Sequence, residues 1–221
     1  MDEFWSPVRL SLQVALWSTV FAGLLGLLAG RLLARRTFPG KSMVETLLLL
    51  PMVLPPTVVG FGLLMLLGKQ GIGSLLPEGQ TILFTWYAAV IASTVVSFPL
   101  MYQAAKSGFE LIDPDLEAVA KTLGANGWQV FWHVTLPLAW PALLSGVLLS
   151  FARGLGEFGA TLMVAGNIPG RTQTLPLGIY NAVESGSTSL AWRWVICLFL
   201  LSFLFLWIIQ RAGKWKDSHK V

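Results

Sequence analysis

Five long uncharged stretches divide the chain, at residues 10–30, 46–68, about 83–105, about 138–164 and about 190–210. About 20 apolar residues carry a helix across the hydrocarbon core, so each is long enough to span a bilayer. The first lies between Arg9 and Arg31, the second between Glu45 and Lys69. Pro51, Pro55 and Pro56 must kink or interrupt the second. The fourth carries two charges, Arg153 and Glu157. Period-two alternation is absent, so a β-barrel does not fit. The pattern predicts an all-α membrane protein, with residues 1–221 forming one membrane domain of five transmembrane helices.

The segment between the third and fourth stretches has a different pattern. Residues 113–123 read as a short amphipathic helix with Asp113 as N-cap, Pro114 at its first position and Gly124 closing it. Asn126 can cap a second helix, running to about Thr135 before Leu136 and Pro137 lead into the fourth span. Leu116, Ala120 and Leu123 share one face of the first helix. Trp128, Phe131 and Trp132 recur at i, i+3 and i+4 in the second. These rings either pack on the protein's own helix ends or dock a partner helix-in-groove fashion. Residues 166–189 are too polar and too rich in Gly and Pro to span, and predict a loop with a short helix near 177–183.

Composition strengthens the membrane reading. Hydrophobic residues make up 55% of the 221 and charged residues 12%, too few charges to cover a soluble surface without large apolar patches. The net charge of +4 points to orientation rather than nucleic acid. Arg31, Arg35, Arg36, Lys41, Lys106, Lys121, Arg211, Lys214, Lys216 and Lys220 fall on one side of a five-span topology. The positive-inside bias places that side in the cytoplasm, with the N-terminus outside and the C-terminus inside. Acidic Asp2 and Glu3 and a long first apolar run argue against a cleaved signal peptide. The single cysteine, Cys197, excludes a disulfide framework.

Several apparent motifs carry no chemistry. Gly154-Leu155-Gly156-Glu157-Phe158-Gly159 matches G-x-G-x-x-G but sits inside an apolar helical run, without the strand that a dinucleotide site needs; its small residues suit close helix packing. Gly40-Lys41-Ser42 resembles the end of a phosphate-binding loop, yet Arg35 occupies the slot of the first glycine. No complete ATP site is expected. His133 and His219 lack a second ligand at metal spacing, and Asp113, Asp115 and Glu117 read as a helix start, so no metal and no catalytic residues are expected. Arg153 and Glu157, spaced i, i+4, share a helix face within pairing distance. They either lock the fourth span or line a watery pathway, because isolated charges at membrane depth are costly.

The spacing of Gly124 to Val134, Thr135, Leu136 and Pro137 resembles the Gly-x9-Ile-x-Leu-Pro signature of ABC importer permeases. Counting back from Gly124 places Ala118, Val119 and Ala120 on that signature's Glu-Ala-Ala positions. Ala118 fills the glutamate slot, and Glu117 is displaced by one residue, about 100° around a helix. The resemblance then narrows. Thr37-Phe38-Pro39-Gly40-Lys41, Leu50-Pro51-Met52-Val53-Leu54-Pro55-Pro56-Thr57-Val58-Val59-Gly60 and Ser97-Phe98-Pro99-Leu100-Met101 look like the permease subunits of molybdate ABC importers. So do Phe151-Ala152-Arg153-Gly154-Leu155-Gly156-Glu157-Phe158-Gly159-Ala160-Thr161 and Asn167-Ile168-Pro169-Gly170-Arg171-Thr172.

This resemblance implies the transmembrane domain of a type I ABC importer, with 113–137 as cytoplasmic coupling helices. The expected ATPase-coupling residues are Glu117, Ala118, Ala120, Gly124, Trp128, Phe131, Leu136 and Pro137. Arg153, Glu157, Asn167 and Thr172 are the expected pathway or gate residues. The implied partners are a second copy of the chain, two cytosolic ATP-binding subunits and an external oxyanion-binding protein. ATP and Mg would be bound by the ATPase partner, with no cofactor in this chain. Tungstate and sulfate permeases share much of the pattern and stay open as alternatives. An ion-coupled secondary transporter would need more intramembrane acids or paired broken-helix halves.

Overall fold

The computed structural model describes the chain apart from Met1, Leu76, Glu78, Gly79 and residues 218–221; side chains at positions 2, 3 and 209–217 are not described either. His219 and Lys220 therefore lie outside the described residues. In chain order the helices are α1 (Asp2–Ala34), α2 (Lys41–Val53), α3 (Pro56–Leu67), α4 (Trp86–Glu110), α5 (Pro114–Thr122), α6 (Gly127–Val130), α7 (Leu136–Leu155), α8 (Gly159–Ala165), α9 (Leu175–Glu184) and α10 (Thr188–Asp217). A 3₁₀ turn follows α3, and a π-helical turn, Phe131–Thr135, joins α6 to α7. Among the described residues there is no strand, and five helical stretches are long and apolar enough to cross a membrane.

The chain divides into two compact units. The larger, Leu12–Gly166, is built around α4, whose Thr85 N-cap accepts the Ala88 N–H at 3.3 Å. Glycines let its neighbours approach closely. A Cβ on Gly26 or Gly30 of α1 would lie 2.7 Å from Met101 or Ala105 of α4. From the opposite partner, a Cβ on Gly146 of α7 would lie 2.7 Å from Ala104, and one on Gly108 of α4 the same distance from Ala142. Small-residue contacts of this kind replace the hydrophobic drive that lipid removes. Lys106 of α4 holds Glu45 of α2 at 2.7 Å.

Two of the five apolar stretches are interrupted, and the helices long enough to span, Pro56–Leu75 and Gly127–Leu155, lie to one side of each break. The second breaks between α2 and α3, where Leu54 is extended (φ −68°, ψ 143°) because it precedes a proline. Pro56 then starts α3 at a position that needs no N–H. Pro51 stays within α2. The fourth span, expected as continuous over 138–164, instead ends α7 at Leu155 and restarts as α8 at Gly159. The two breaks meet, since a Cβ on Gly159 would lie 3.2 Å from Pro56 and 3.3 Å from Thr57.

The smaller unit comprises Met1–Ser11 and Asn167–Val221. Its α9 occupies the region where a short helix is expected. The first N–H of α9, at Leu175, donates to Ser11 Oγ at 2.7 Å, replacing the missing intrahelical partner. Trp194 of α10 donates through Nε1 to the Phe4 carbonyl at 3.1 Å and stacks on its ring.

Candidate functional site: the docking segment and the charged helix break

The loop between α4 and α7 takes the expected helix–turn–helix form. Asp113 Oδ1 accepts the Asp115 N–H at 2.9 Å, capping α5. Gly124 adopts φ +92°, the left-handed conformation that ends helices and disfavours side chains. Asn126 and Gln129 form a reciprocal capping box, both bonds at 2.9 Å, as a second helix start requires. That helix then widens into the π turn and enters α7 without a pause.

Burial separates the expected coupling residues into two groups. Ala118, Gly124, Trp128 and Pro137 are exposed, with Trp128 at 70%. Leu116, Val119, Leu123 and Trp132 are exposed beside them. The result is a wide apolar face on an otherwise polar loop. Ala120, Phe131 and Leu136 are half-buried, and Glu117 is buried. Trp128 and Trp132 meet edge to face with centroids 5.5 Å apart.

Glu117 faces inward because its partners are there. Its Oε2 accepts from Arg35 Nη1 at 2.8 Å, and its Oε1 accepts from Thr135 Oγ1 at 2.7 Å. Arg31 Nη1 stands 3.9 Å from Oε1. The Arg31 guanidinium lies 5.6 Å and 5.7 Å from the Phe109 and Phe131 ring centroids, within cation–π range. None of Arg31, Arg35 and Thr135 is among the coupling residues that the sequence predicts. Arg31 in the last turn of α1 and Arg35 just past its end are spaced i, i+4, which sets both toward Glu117.

At the break in the fourth span, Arg153 Nη1 donates to Glu157 Oε2 at 2.5 Å, the expected i, i+4 pair. The other oxygen, Oε1, accepts the Ala160 N–H at 2.9 Å. Glu157 thus supplies an anion to the start of α8, where the first amides have no intrahelical partner. Its side chain is 2% exposed, whereas that of Arg153 is 32% exposed. The carboxylate is fully committed, and the guanidinium keeps donors to spare.

In the smaller unit, Thr172 is buried and accepts the Ile168 N–H at 3.0 Å, while Arg171, Thr172 and Gln173 donate backbone N–H groups to the Ile168 carbonyl. Gly170, at φ +75°, makes the turn. Asn167 is half-buried at the start of this loop. Among the described residues, no three His, Cys, Asp or Glu side chains come together as a metal site.

A family model described as "Binding-protein-dependent transport system inner membrane component" matches residues 22–216. YvgM of Bacillus subtilis (strain 168) is 55% identical over 213 residues, covering 95% of this chain and 94% of its own. The molybdenum transport system permease protein ModB of Escherichia coli (strain K12) is 44% identical over 225 residues, covering 96% of this chain and 98% of its own. The sulfate transport system permease protein CysW of Synechococcus elongatus is 40% identical over 201 residues, covering 90% of this chain and 70% of its own. Among solved structures, a bacterial ABC transporter involved in the import of the polysaccharide alginate matches all of this chain and 81% of its own. The TM-score is 0.76 at 16% identity, which carries the fold alone.

Proposed function

We propose, because this chain belongs to the binding-protein-dependent transport system inner membrane components, that it is the permease subunit of an ATP-driven importer of molybdate. It is a transport subunit, multi-pass in the inner membrane, and not an enzyme. The observation that supports the substrate is the near-full-length similarity to YvgM and to the ModB of E. coli, at 55% and 44% identity against 40% for the CysW of S. elongatus.

In this reading two copies of the chain enclose the pathway. Two cytosolic subunits bind ATP and Mg, and an external binding protein delivers the oxyanion. The N-terminus lies outside and the C-terminus in the cytoplasm. The exposed face of Ala118, Gly124, Trp128 and Pro137 receives the ATPase, with Ala120, Phe131 and Leu136 supporting it from beneath. ATP-driven closure of the ATPase pair carries these helices with it, and the spans rock between inward- and outward-facing states. The cost of switching is met by the partner, so the permease needs only two packed arrangements of similar energy.

The pathway needs a weak attraction for the anion, because a strong site would trap it. Arg153 offers that: one charge, already neutralised by Glu157, with spare donors. Glu157 braces the helix break and keeps Arg153 in place. Asn167 and Thr172 shape an external loop that serves as a gate, Thr172 from its buried interior. The deciding experiment is uptake into vesicles by the reconstituted complex, with molybdate, tungstate and sulfate in competition. Molybdate uptake displaced by tungstate but not by excess sulfate supports the reading. Preferential sulfate uptake would replace it.

A further inference from the structure

The exposed face of the docking segment explains how an ATPase could hold it, and α6 runs through the π turn straight into α7, but neither ties its movement to α1. The cluster at Glu117 supplies that connection. The carboxylate borne by the docking helix α5 meets two other segments, the end of α1 through Arg31 and Arg35 and the π turn through Thr135. Arg35 is attached twice, since its Nη2 also donates to the Ile112 carbonyl at 2.7 Å, in the turn that closes α4.

We propose that Arg35, backed by Arg31, is a positioning residue of the coupling step: it latches the docking helix to α1 so that the two move as one body. The proposal rests on the reading of residues 113–137 as the ATPase-docking segment. Both Glu117 oxygens are occupied within the chain, and the side chain is only 10% exposed. The carboxylate is therefore closed to an arriving subunit, which meets the apolar face instead. Pulling α5 away from α1 would strip a largely buried carboxylate of its cations and expose Arg31 from between two rings. Separating such a pair is far costlier than moving both sides together. α1 is a continuous 33-residue helix, so displacement of its end is carried stiffly into the membrane rather than absorbed locally.

A latch that acts only in folding and one that transmits motion separate by experiment. The complex carrying R35Q/E117Q is purified with its ATPase subunits, reconstituted, and assayed for anion uptake and ATP hydrolysis in the same vesicles. The expected result is that the ATPase subunits still co-purify while uptake per ATP hydrolysed falls by about tenfold, the size of a typical coupling between two sites. A companion, R35C/E117C in a C197S background, is bridged by a short bifunctional methanethiosulfonate. Bridging should restore the ratio, and reductant should abolish it again. An unchanged ratio in R35Q/E117Q, or a bridged form no better than its reduced form, overturns the proposal. Should R35Q/E117Q fail to assemble, the bridged complex, reduced after assembly, decides alone: retained coupling overturns the latch. The docking reading fails on a different measurement, undiminished ATPase association when Leu116, Val119 and Trp128 are all replaced by alanine.

Discussion

Replacing Glu157 by glutamine tests the helix break most directly. The amide keeps an oxygen for the Ala160 N–H, so the cap survives, but the countercharge of Arg153 is lost. Breaking a fully buried pair costs about 3–5 kcal/mol. About a third of the Arg153 side chain remains exposed, so solvent screening brings the expected cost to about 2 kcal/mol. For a chain of this length that is a fall of roughly 4–8 °C in the unfolding midpoint. Glu157→Ala removes the cap as well and should cost about 1 kcal/mol more. The double variant R153Q/E157Q removes both charges and should recover most of the loss, because a neutral pair needs no desolvation of an orphaned cation. The assay is thermal unfolding of the detergent-purified complex, followed by size-exclusion fluorescence at one heating rate. A double variant less stable than E157Q alone would show that the loss does not come from an orphaned Arg153 charge. Transport adds a separate readout: R153Q/E157Q should assemble yet import poorly if Arg153 attracts the anion.

Other consequences follow from the same geometry. Gly124→Val places a branched side chain at φ +92° and should cost more than about 1 kcal/mol, with weaker uptake per ATP and retained assembly, measured in reconstituted vesicles. Trp128→Ala should leave the unfolding midpoint almost unchanged, because the ring is exposed, while weakening ATPase association by about tenfold or more in titrations; Phe131→Ala should lower the midpoint, because that ring covers Arg31. The Lys106 ammonium, through its hydrogen bond to Glu45, holds the Glu45 carboxyl below the ordinary carboxylate range. Its stabilising contribution is therefore complete above that ordinary range and is lost as pH falls through the lowered value, a dependence that E45Q should flatten in midpoint-against-pH curves.

The spans, the caps and the proline break were legible because each depends on residues close in sequence. Uncharged runs fix the spans, Asp113 and Asn126 start helices, and the tandem Pro55-Pro56 removes two successive N–H donors, which breaks the helix at Leu54 where the single Pro51, Pro99 and Pro141 do not. The Arg153–Glu157 pair was legible for the same reason. The break after Leu155 was not, since no proline marks it and the sequence pattern continues through it. It depends on Glu157 turning to accept the Ala160 amide, a choice between two local hydrogen-bonding patterns that the surroundings settle. The partners of Glu117 were hidden for a different reason. Arg35 lies 82 positions away, and only the folded chain shows that a residue suited to a docking surface is spent inside it. Likewise the spacing of Trp128, Phe131 and Trp132 defined one aromatic stripe, without revealing that the middle ring turns inward over Arg31.

The glycine contacts around α4 have a bearing on how such a sequence can drift. Gly30 faces Ala105, Gly108 faces Ala142 and Gly146 faces Ala104, each without room for one additional carbon. No single enlargement on either side of these seams is neutral, and the opposing alanine can yield at most one methyl group in return. Lineages derived from this chain should therefore change the two members of each seam together or not at all. The exposed leucines and phenylalanines of α1 and α10 meet no such opposing backbone among the described residues and exchange more freely. The record of substitution around α4 would then trace helix separation, residue pair by residue pair.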